Sequence, residues 1–123
     1  MVTKQDKIFN ALDELKSATT DILGLAVVSP DGMLIADRLA AGEGEKAAAM
    51  GAVMVSLGKR VSTTLKAGDL QEVAIRGEKM TILVFDIEHH ASLVVEVSSR
   101  ANMGLVLLEA RAAKDSLLSL LTS

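Results

Sequence analysis

The sequence predicts an α+β fold with one five-stranded antiparallel sheet and helices on both of its faces. Amphipathic segments with helical spacing lie at the start, middle and end of the chain, and five short apolar segments lie between them. Turn residues join most of these short segments as hairpins, and hairpins connect antiparallel strands. The central strands are apolar on both faces, which indicates that helices cover the sheet from two sides. The predicted order is α-β-β-α-β-β-β-α.

The composition limits the class of protein. A chain of 123 residues fits a single domain (1–123), and half of its residues are hydrophobic with only two aromatic ones, so we expect an aliphatic core. A net charge of -3 without a basic run argues against nucleic acid as a partner. The absence of cysteine excludes disulfides and thiolate metal sites. The charged start and the lack of a long apolar run predict a cytoplasmic protein without membrane insertion.

The first 37 residues predict a helix followed by a hairpin. Thr3 or Asp6 is suited to cap a helix that ends near Thr19. The segment Ile22 to Ser29 is almost entirely apolar and predicts a central strand. The residues Ser-Pro-Asp-Gly at positions 29–32 are typical of a β-turn, because proline and glycine occupy the positions that such turns favour. Met33 to Asp37 then returns as a second strand.

The last part of the chain predicts a three-stranded meander and a final helix. Asp69 to Arg76 alternates and is the most polar of these strands, which indicates an edge position. Met80 to Ile87 is apolar on both faces and therefore central, and Ala91 to Val97 forms the fifth strand. Asn102 is a suitable cap for a helix over Met103 to Leu121.

The middle helix, predicted over Gly44 to Lys66 and ended by Gly68 as its C′ residue, is unusual because it has no charged residue between Ala47 and Gly58. Its residues sort into three stripes. The bulky stripe, which we expect to pack on the core, contains Met50, Met54, Leu57, Val61 and Leu65. The small stripe contains Gly44, Ala48, Gly51, Val55, Gly58 and Ser62, and the outward stripe contains Glu45, Ala49, Ala52, Ser56, Lys59 and Thr63.

The small stripe indicates a close neighbour. A glycine inside a helix costs about 0.5–1 kcal/mol relative to alanine, so glycines at 51 and 58 favour close contact with a second helix, most simply that of a second copy. The alternative is chance in an alanine-rich helix. Pairing of the predicted edge strand with its own copy would remove an exposed edge. The predicted homodimer interface contains Ala48, Gly51, Val55, Gly58, Ser62, Glu72, Ala74 and Arg76, with Glu72 opposite the partner's Arg76.

No catalytic, cofactor-binding or metal-binding motif is present in the sequence. His89 and His90 are adjacent in a predicted turn, and such pairs seldom bind one metal, so we expect a solvated turn there. Gly42 and Gly44 are not followed by the Gly-Lys-Ser/Thr of a phosphate-binding loop, and no serine lies in a Gly-x-Ser-x-Gly elbow. The sequence therefore predicts a protein that is not an enzyme and has no cofactor.

Three segments carry a resemblance to a known family. GLAVVSPDGMLIA at 24–36, the Ala- and Gly-rich second helix, and SSRANMGLVLLEARAA at 98–113 together resemble the Roadblock/LC7 family, including its MglB-like prokaryotic members. The resemblance covers essentially the whole chain. It implies a profilin-like fold, and a dimer in which the third strands pair edge to edge and the second helices lie side by side. It also implies a scaffold for Ras-like small GTPases, with a GTPase-activating role left open because the chain lacks the extra C-terminal segment of some MglB-like members.

The outward stripe is the predicted docking surface for the GTPase. In a pair of adjacent helices we expect the two outward stripes to form one flat surface of small residues with a charged rim, which suits protein docking. The alternative is that its alanines only favour a helix on a solvent-exposed face. A second hypothesis is a profilin- or PAS-like module that senses a small molecule between sheet and helix. The predicted surface contains Glu45, Ala49, Ala52, Ser56, Lys59, Arg60 and Thr63, of which Arg60 is a candidate arginine finger.

Overall fold

The computed structural model describes residues 1–123 and has the predicted order of elements. The three helices are α1 (Lys4–Ala18), α2 (Gly44–Thr64) and α3 (Met103–Leu121). The five strands are β1 (Ile22–Val28), β2 (Leu34–Arg38), β3 (Glu72–Arg76), β4 (Met80–Ile87) and β5 (Ala91–Ser98). The α+β architecture predicted from the sequence is thus confirmed.

The strands form one antiparallel sheet in the order β2-β1-β5-β4-β3. The predicted hairpins are present, and β1 and β4 are internal strands as their apolar sequences indicate. β3 pairs only with β4, so its other edge is free. In register, Asp37, Ala26, Val94, Val84 and Val73 form one row across the sheet from β2 to β3.

Helices cover both faces of the sheet, as the sequence predicts. α1 and α3 contact each other on one face, where they bury the larger core cluster that includes Leu12, Phe85 and Leu117. α2 lies alone on the other face, over a smaller cluster of short side chains: Ala26, Val28, Ala48, Val55, Val84 and Val94. The small volumes of these side chains bring α2 close to the sheet.

The helix caps follow the sequence at the ends of α1 and α3. The hydroxyl of Thr3 accepts a hydrogen bond from the backbone N–H of Asp6, and the Asp6 carboxylate accepts one from the N–H of Thr3. Both residues proposed as caps therefore act together in a capping box. The Asn102 side chain accepts a hydrogen bond from the N–H of Leu105 at 3.2 Å, which confirms it as the N-cap of α3.

Two boundaries near the C-terminus of α2 differ from the prediction. The helix ends at Thr64, and Lys66 rather than Gly68 occupies the left-handed position after it, with φ of 57°. The N–H groups of Lys66 and Ala67 donate to the carbonyls of Thr63 and Ser62, which completes a Schellman motif. The prediction of Gly68 as C′ is wrong, because these hydrogen bonds end the helix two residues earlier. β3 also starts at Glu72 instead of Asp69.

Candidate protein-interaction surface

The face of α2 that meets the sheet is its small stripe. A Cβ atom added at Gly51 would lie 2.7 Å from Cγ2 of Val94, and one added at Gly58 would lie 2.7 Å from Cγ2 of Val73. Ala48 and Val55 are buried between these contacts. Because any larger side chain would collide with the sheet, the small residues let α2 rest directly on β5 and β3.

The predicted orientation of α2 is therefore wrong. The sequence analysis assigns the small stripe to a second helix and the bulky stripe to the core, but the small stripe packs on the chain's own sheet. The helix-to-helix part of the predicted interface was Ala48, Gly51, Val55, Gly58 and Ser62; the first three are buried and the last two half-buried. The reason is that Val94 and Val73 of the sheet lie so close to the α2 backbone that no bulky side chain fits between them.

The bulky stripe is exposed to solvent along one side of α2. Met50 and Leu57 are each 58% exposed, and Val61 is 48% exposed. Val53 and Leu65, which are also exposed, extend this surface along the helix, while Met54 is half-buried. We call this surface the apolar flank: Met50, Val53, Met54, Leu57, Val61 and Leu65. Exposed apolar patches of this kind mark interaction sites in soluble proteins.

The apolar flank continues onto the sheet next to the free edge. Ile75 of β3, which is 51% exposed, lines the same groove as Met50 and Met54. The groove has a volume of about 350 Å³, and Ile82 and Val94 are among the residues of its floor. On the other face of β3, Glu72 is half-buried and pairs with Arg111 at 3.0 Å, while Ala74 and Arg76 are exposed. An apolar surface thus lies beside unpaired backbone groups of an edge strand.

The outward stripe lies on the opposite side of α2, which we call the outer flank. Glu45, Ala49, Ser56, Arg60 and Thr63 are exposed, and Ala52 and Lys59 are half-buried. Two turns border this flank. A Cβ atom added at Gly32 of the β1–β2 turn would lie 3.6 Å from Cβ of Ala52, and Lys59 reaches the β4–β5 turn. The predicted GTPase-binding residues therefore share one accessible surface together with residues from both turns.

A cluster of Lys59, Asp86 and His89 lies at one end of the outer flank. Nζ of Lys59 is 2.7 Å from Nδ1 of His89 and 3.6 Å from Oδ2 of Asp86. The Asp86 carboxylate is only 7% exposed and accepts a hydrogen bond from the backbone N–H of His89 at 3.3 Å. This cluster is not predictable from the sequence, because residues 59, 86 and 89 come together only through packing. The one available signal was an aspartate at the end of an otherwise apolar strand.

Other charged residues form pairs away from this surface. Arg38 donates a hydrogen bond to Asp13 at 2.7 Å and stacks over the ring of Phe9 at 4.4 Å. The hydrogen bond from the Arg38 guanidinium holds the pKa of the Asp13 carboxyl below its usual range. Arg60, by contrast, is exposed and forms no ion pair. No set of three or more histidine, aspartate or glutamate side chains is arranged to bind a metal ion. None of the helices combines the length and apolar character needed to cross a membrane.

Comparison with known proteins identifies a family and several structures of the same fold. The model of the Roadblock/LC7 domain family matches residues 8–96. The structure of gliding protein MglB from Thermus thermophilus aligns with a TM-score of 0.86 at 20% identity, covering 98% of this chain and 92% of that one. A Roadblock/LC7 domain from Streptomyces avermitilis aligns at 0.86 and 17% identity, covering 92% and 96%. LokiProfilin1 aligns at 0.60 and 14% identity, covering 93% and 97%. Among curated proteins, no sequence matches the chain.

Proposed function

Because this chain belongs to the Roadblock/LC7 domain family, we propose that it is a homodimeric cytoplasmic scaffold that binds and regulates a Ras-like small GTPase. Its structural likeness to MglB supports an MglB-like role. The observation that carries the proposal is that the apolar flank of α2 lies beside the free edge of β3. Because the two are adjacent, one partner surface of matching shape covers both the flank and the edge. The protein acts through binding and uses no cofactor of its own.

The second copy covers the apolar flank and the β3 edge together. Pairing of β3 with the partner's β3 satisfies the free backbone groups, and the two α2 helices then lie beside each other on the same face of a continuous sheet. Burial of exposed Met50, Val53, Leu57 and Val61 in both copies supplies the hydrophobic driving force at about 25 cal/mol per Å². The dimer contact on α2 thus involves the apolar flank rather than the small stripe.

The outer flank is the docking surface for the GTPase. In a pair joined through the apolar flanks, the two outer flanks point away from each other, so each copy offers its own surface bordered by the β1–β2 and β4–β5 turns. This arrangement replaces the single flat surface across both copies that the sequence predicts. Ala49, Ala52 and Ser56 present small side chains there, which leave room for a partner's backbone. Any stimulation of GTP hydrolysis acts by ordering the catalytic residues of the GTPase itself.

Replacement of Ala52 by arginine tests the docking surface. Ala52→Arg places a long charged side chain in the middle of the outer flank, and we expect the affinity for the Ras-like GTPase partner to fall by at least about 100-fold. Titration calorimetry with the GTPase loaded with a non-hydrolysable GTP analogue measures this effect. Ala112→Arg, at an exposed alanine of α3, is the matched control and should bind normally. Normal binding by Ala52→Arg would place the docking surface elsewhere.

The packing of α2 disfavours the alternative of a small-molecule sensor. Such a sensor needs a cavity between helix and sheet that holds polar groups to orient the ligand. Under α2 the backbone at Gly51 lies directly against Val94, and the groove of about 350 Å³ beside the helix has an apolar floor that includes Ile82 and Val94. No buried side-chain nitrogen or oxygen is left without a hydrogen-bond partner that could orient a ligand. The binding surfaces of this protein therefore lie on the outside of α2.

A further inference from the structure

The β4–β5 turn, beside the outer flank, holds two residues in the left-handed backbone region. Glu88 and His89 have φ angles of 43° and 67°, in the left-handed region that favours glycine and disfavours residues with a Cβ atom. The N–H of His90 donates to the carbonyl of Ile87 at 2.9 Å and closes the turn. Tight β-hairpin turns commonly require positive φ at their central residues, so this geometry belongs to the hairpin itself. Here the buried carboxylate of Asp86 holds the backbone N–H of His89.

The contact between Lys59 and His89 fixes the tautomer of the imidazole. A lysine ammonium can only donate hydrogen bonds, so Nδ1 of His89, at 2.7 Å from Nζ, must accept. The ring proton then resides on Nε2, which has no partner within the chain on a side chain that is 77% exposed. His89 therefore presents an N–H donor to the solvent, next to the further donors of the Lys59 ammonium.

The hydrogen-bonding groups of the cluster favour an acceptor on the partner. Asp86, the acceptor within the cluster, is 7% exposed; it accepts a hydrogen bond from the backbone N–H of His89 and lies 3.6 Å from Nζ of Lys59. The exposed polar atoms that the cluster offers are thus donors, while Ser56 lines the same shallow pocket on α2. The remaining charged groups near His89, which are Glu88, Asp69 and Lys114, line the neighbouring cleft. A carboxylate accepts hydrogen bonds from cationic and neutral donors more strongly than any uncharged acceptor does.

We propose that Lys59 and His89 form the polar contact of the GTPase-docking surface and recognise an aspartate or glutamate side chain of the GTPase, with Asp86 as the residue that positions both. This inference rests on the proposed function and adds to it the chemistry of one contact. The cluster fixes the direction of two donors before binding, so the partner's carboxylate meets a preorganised site.

The tautomer of His89 can be measured without any partner. Long-range ¹H–¹⁵N correlation spectra of histidine-labelled protein at pH 8 should show Nδ1 of His89 without a proton and Nε2 protonated. In Lys59→Met this preference should weaken, because the donor to Nδ1 is gone. A proton on Nδ1 of His89 in the wild-type protein would overturn the inference.

Binding of the GTP-analogue-loaded GTPase tests the contact itself. His89→Ala and Lys59→Met should each weaken binding by about 10- to 100-fold, as expected for a hydrogen bond to a charged group. The wild-type affinity should fall as salt is raised, and the affinity of the variants should fall less. His90→Ala is the matched control, because His90 is an exposed neighbour whose side chain forms no hydrogen bond or ion pair with the cluster, and its binding should be unchanged.

The outcomes separate this inference from the proposed function. If Ala52→Arg abolishes binding while His89→Ala and Lys59→Met bind as the wild type does, the docking surface stands and the acidic contact is wrong. If the wild-type protein does not bind the GTPase at all, both are wrong. Thermal unfolding of each variant shows whether its fold is intact, and the spectra of the wild type test the cluster even if a variant does not fold.

Discussion

The two flanks of α2 belong to one helix that packs on one sheet, but they differ in their side chains. The apolar flank exposes Met50, Leu57 and Val61 beside a free sheet edge, whereas the outer flank exposes Ala49, Ser56 and Thr63 between two turns. Large exposed aliphatic side chains are typical of permanent interfaces, and small or polar ones suit contacts that form and dissociate. One helix, placed on its sheet by glycines, thus keeps the proposed dimer contact apart from the proposed docking surface.

A charge in the middle of the apolar flank should have the largest effect. Leu57→Asp removes apolar surface that the proposed dimer buries and places an unpaired carboxylate in both copies of the contact, so we expect the dimer to weaken by at least about 1,000-fold. Sedimentation equilibrium measures the dissociation constant. Ser56→Asp, one residue away on the outer flank, is the matched control and should leave the dimer unchanged. Equal dissociation constants for both variants would remove the distinction between the flanks.

A smaller effect is expected where the apolar flank meets the edge strand. Ile75→Ser should weaken the dimer by about tenfold, because a side chain that is half-exposed in the single copy loses its apolar contact with the partner. Met33→Ser is the control, since Met33 is also an exposed apolar residue but precedes β2 at the far edge of the sheet. The same sedimentation experiment measures both variants, and a normal dimer in Ile75→Ser would exclude this part of β3 from the contact.

The smallest effect is expected at Gly51, on the face of α2 that packs on the sheet between the two flanks. Gly51→Ala adds a methyl group 2.7 Å from the buried Val94, and after the gain in helix propensity we expect a net loss of about 1 kcal/mol in the free energy of unfolding. Gly104→Ala in α3 meets only Asn102, at 3.5 Å, and should be neutral or slightly stabilising. Urea unfolding followed by circular dichroism compares the two. If Gly51→Ala is stable but its dimer is weakened, the small stripe contacts a second helix, as the sequence predicts.

Much of the fold follows from local chemistry in the sequence. The Ser-Pro-Asp-Gly turn at 29–32 closes through a hydrogen bond from the N–H of Gly32 to the carbonyl of Ser29, and the caps of α1 and α3 lie at the predicted residues. These features depend on residues a few positions apart. The alternation of polar and apolar residues that indicates an edge strand in β3 is likewise visible within that segment alone.

The orientation of α2 could not be obtained in that way. A helical pattern separates bulky from small residues, but which stripe meets the sheet depends on the side chains opposite, here Val73 and Val94. Lys66 in the left-handed position and the cluster of Lys59, Asp86 and His89 likewise depend on contacts between distant segments. The residues of the outer flank were therefore predictable from the sequence, because they form one stripe of a helix. The two turns that border this flank, and the cluster of Lys59, Asp86 and His89, could be identified only from the structure.

Cysteine cross-linking tests the central claim, that the apolar flank of α2 meets a second copy. The chain contains no cysteine, so single cysteines at Met50, Val53, Leu57 and Val61 can be compared with one at Ser56 under mild oxidation. We predict a disulfide-linked dimer for at least one position of the apolar flank and none for Ser56. Cross-linking at Ser56 alone, or no cross-link at any apolar position at concentrations where the wild type is dimeric, would contradict the account.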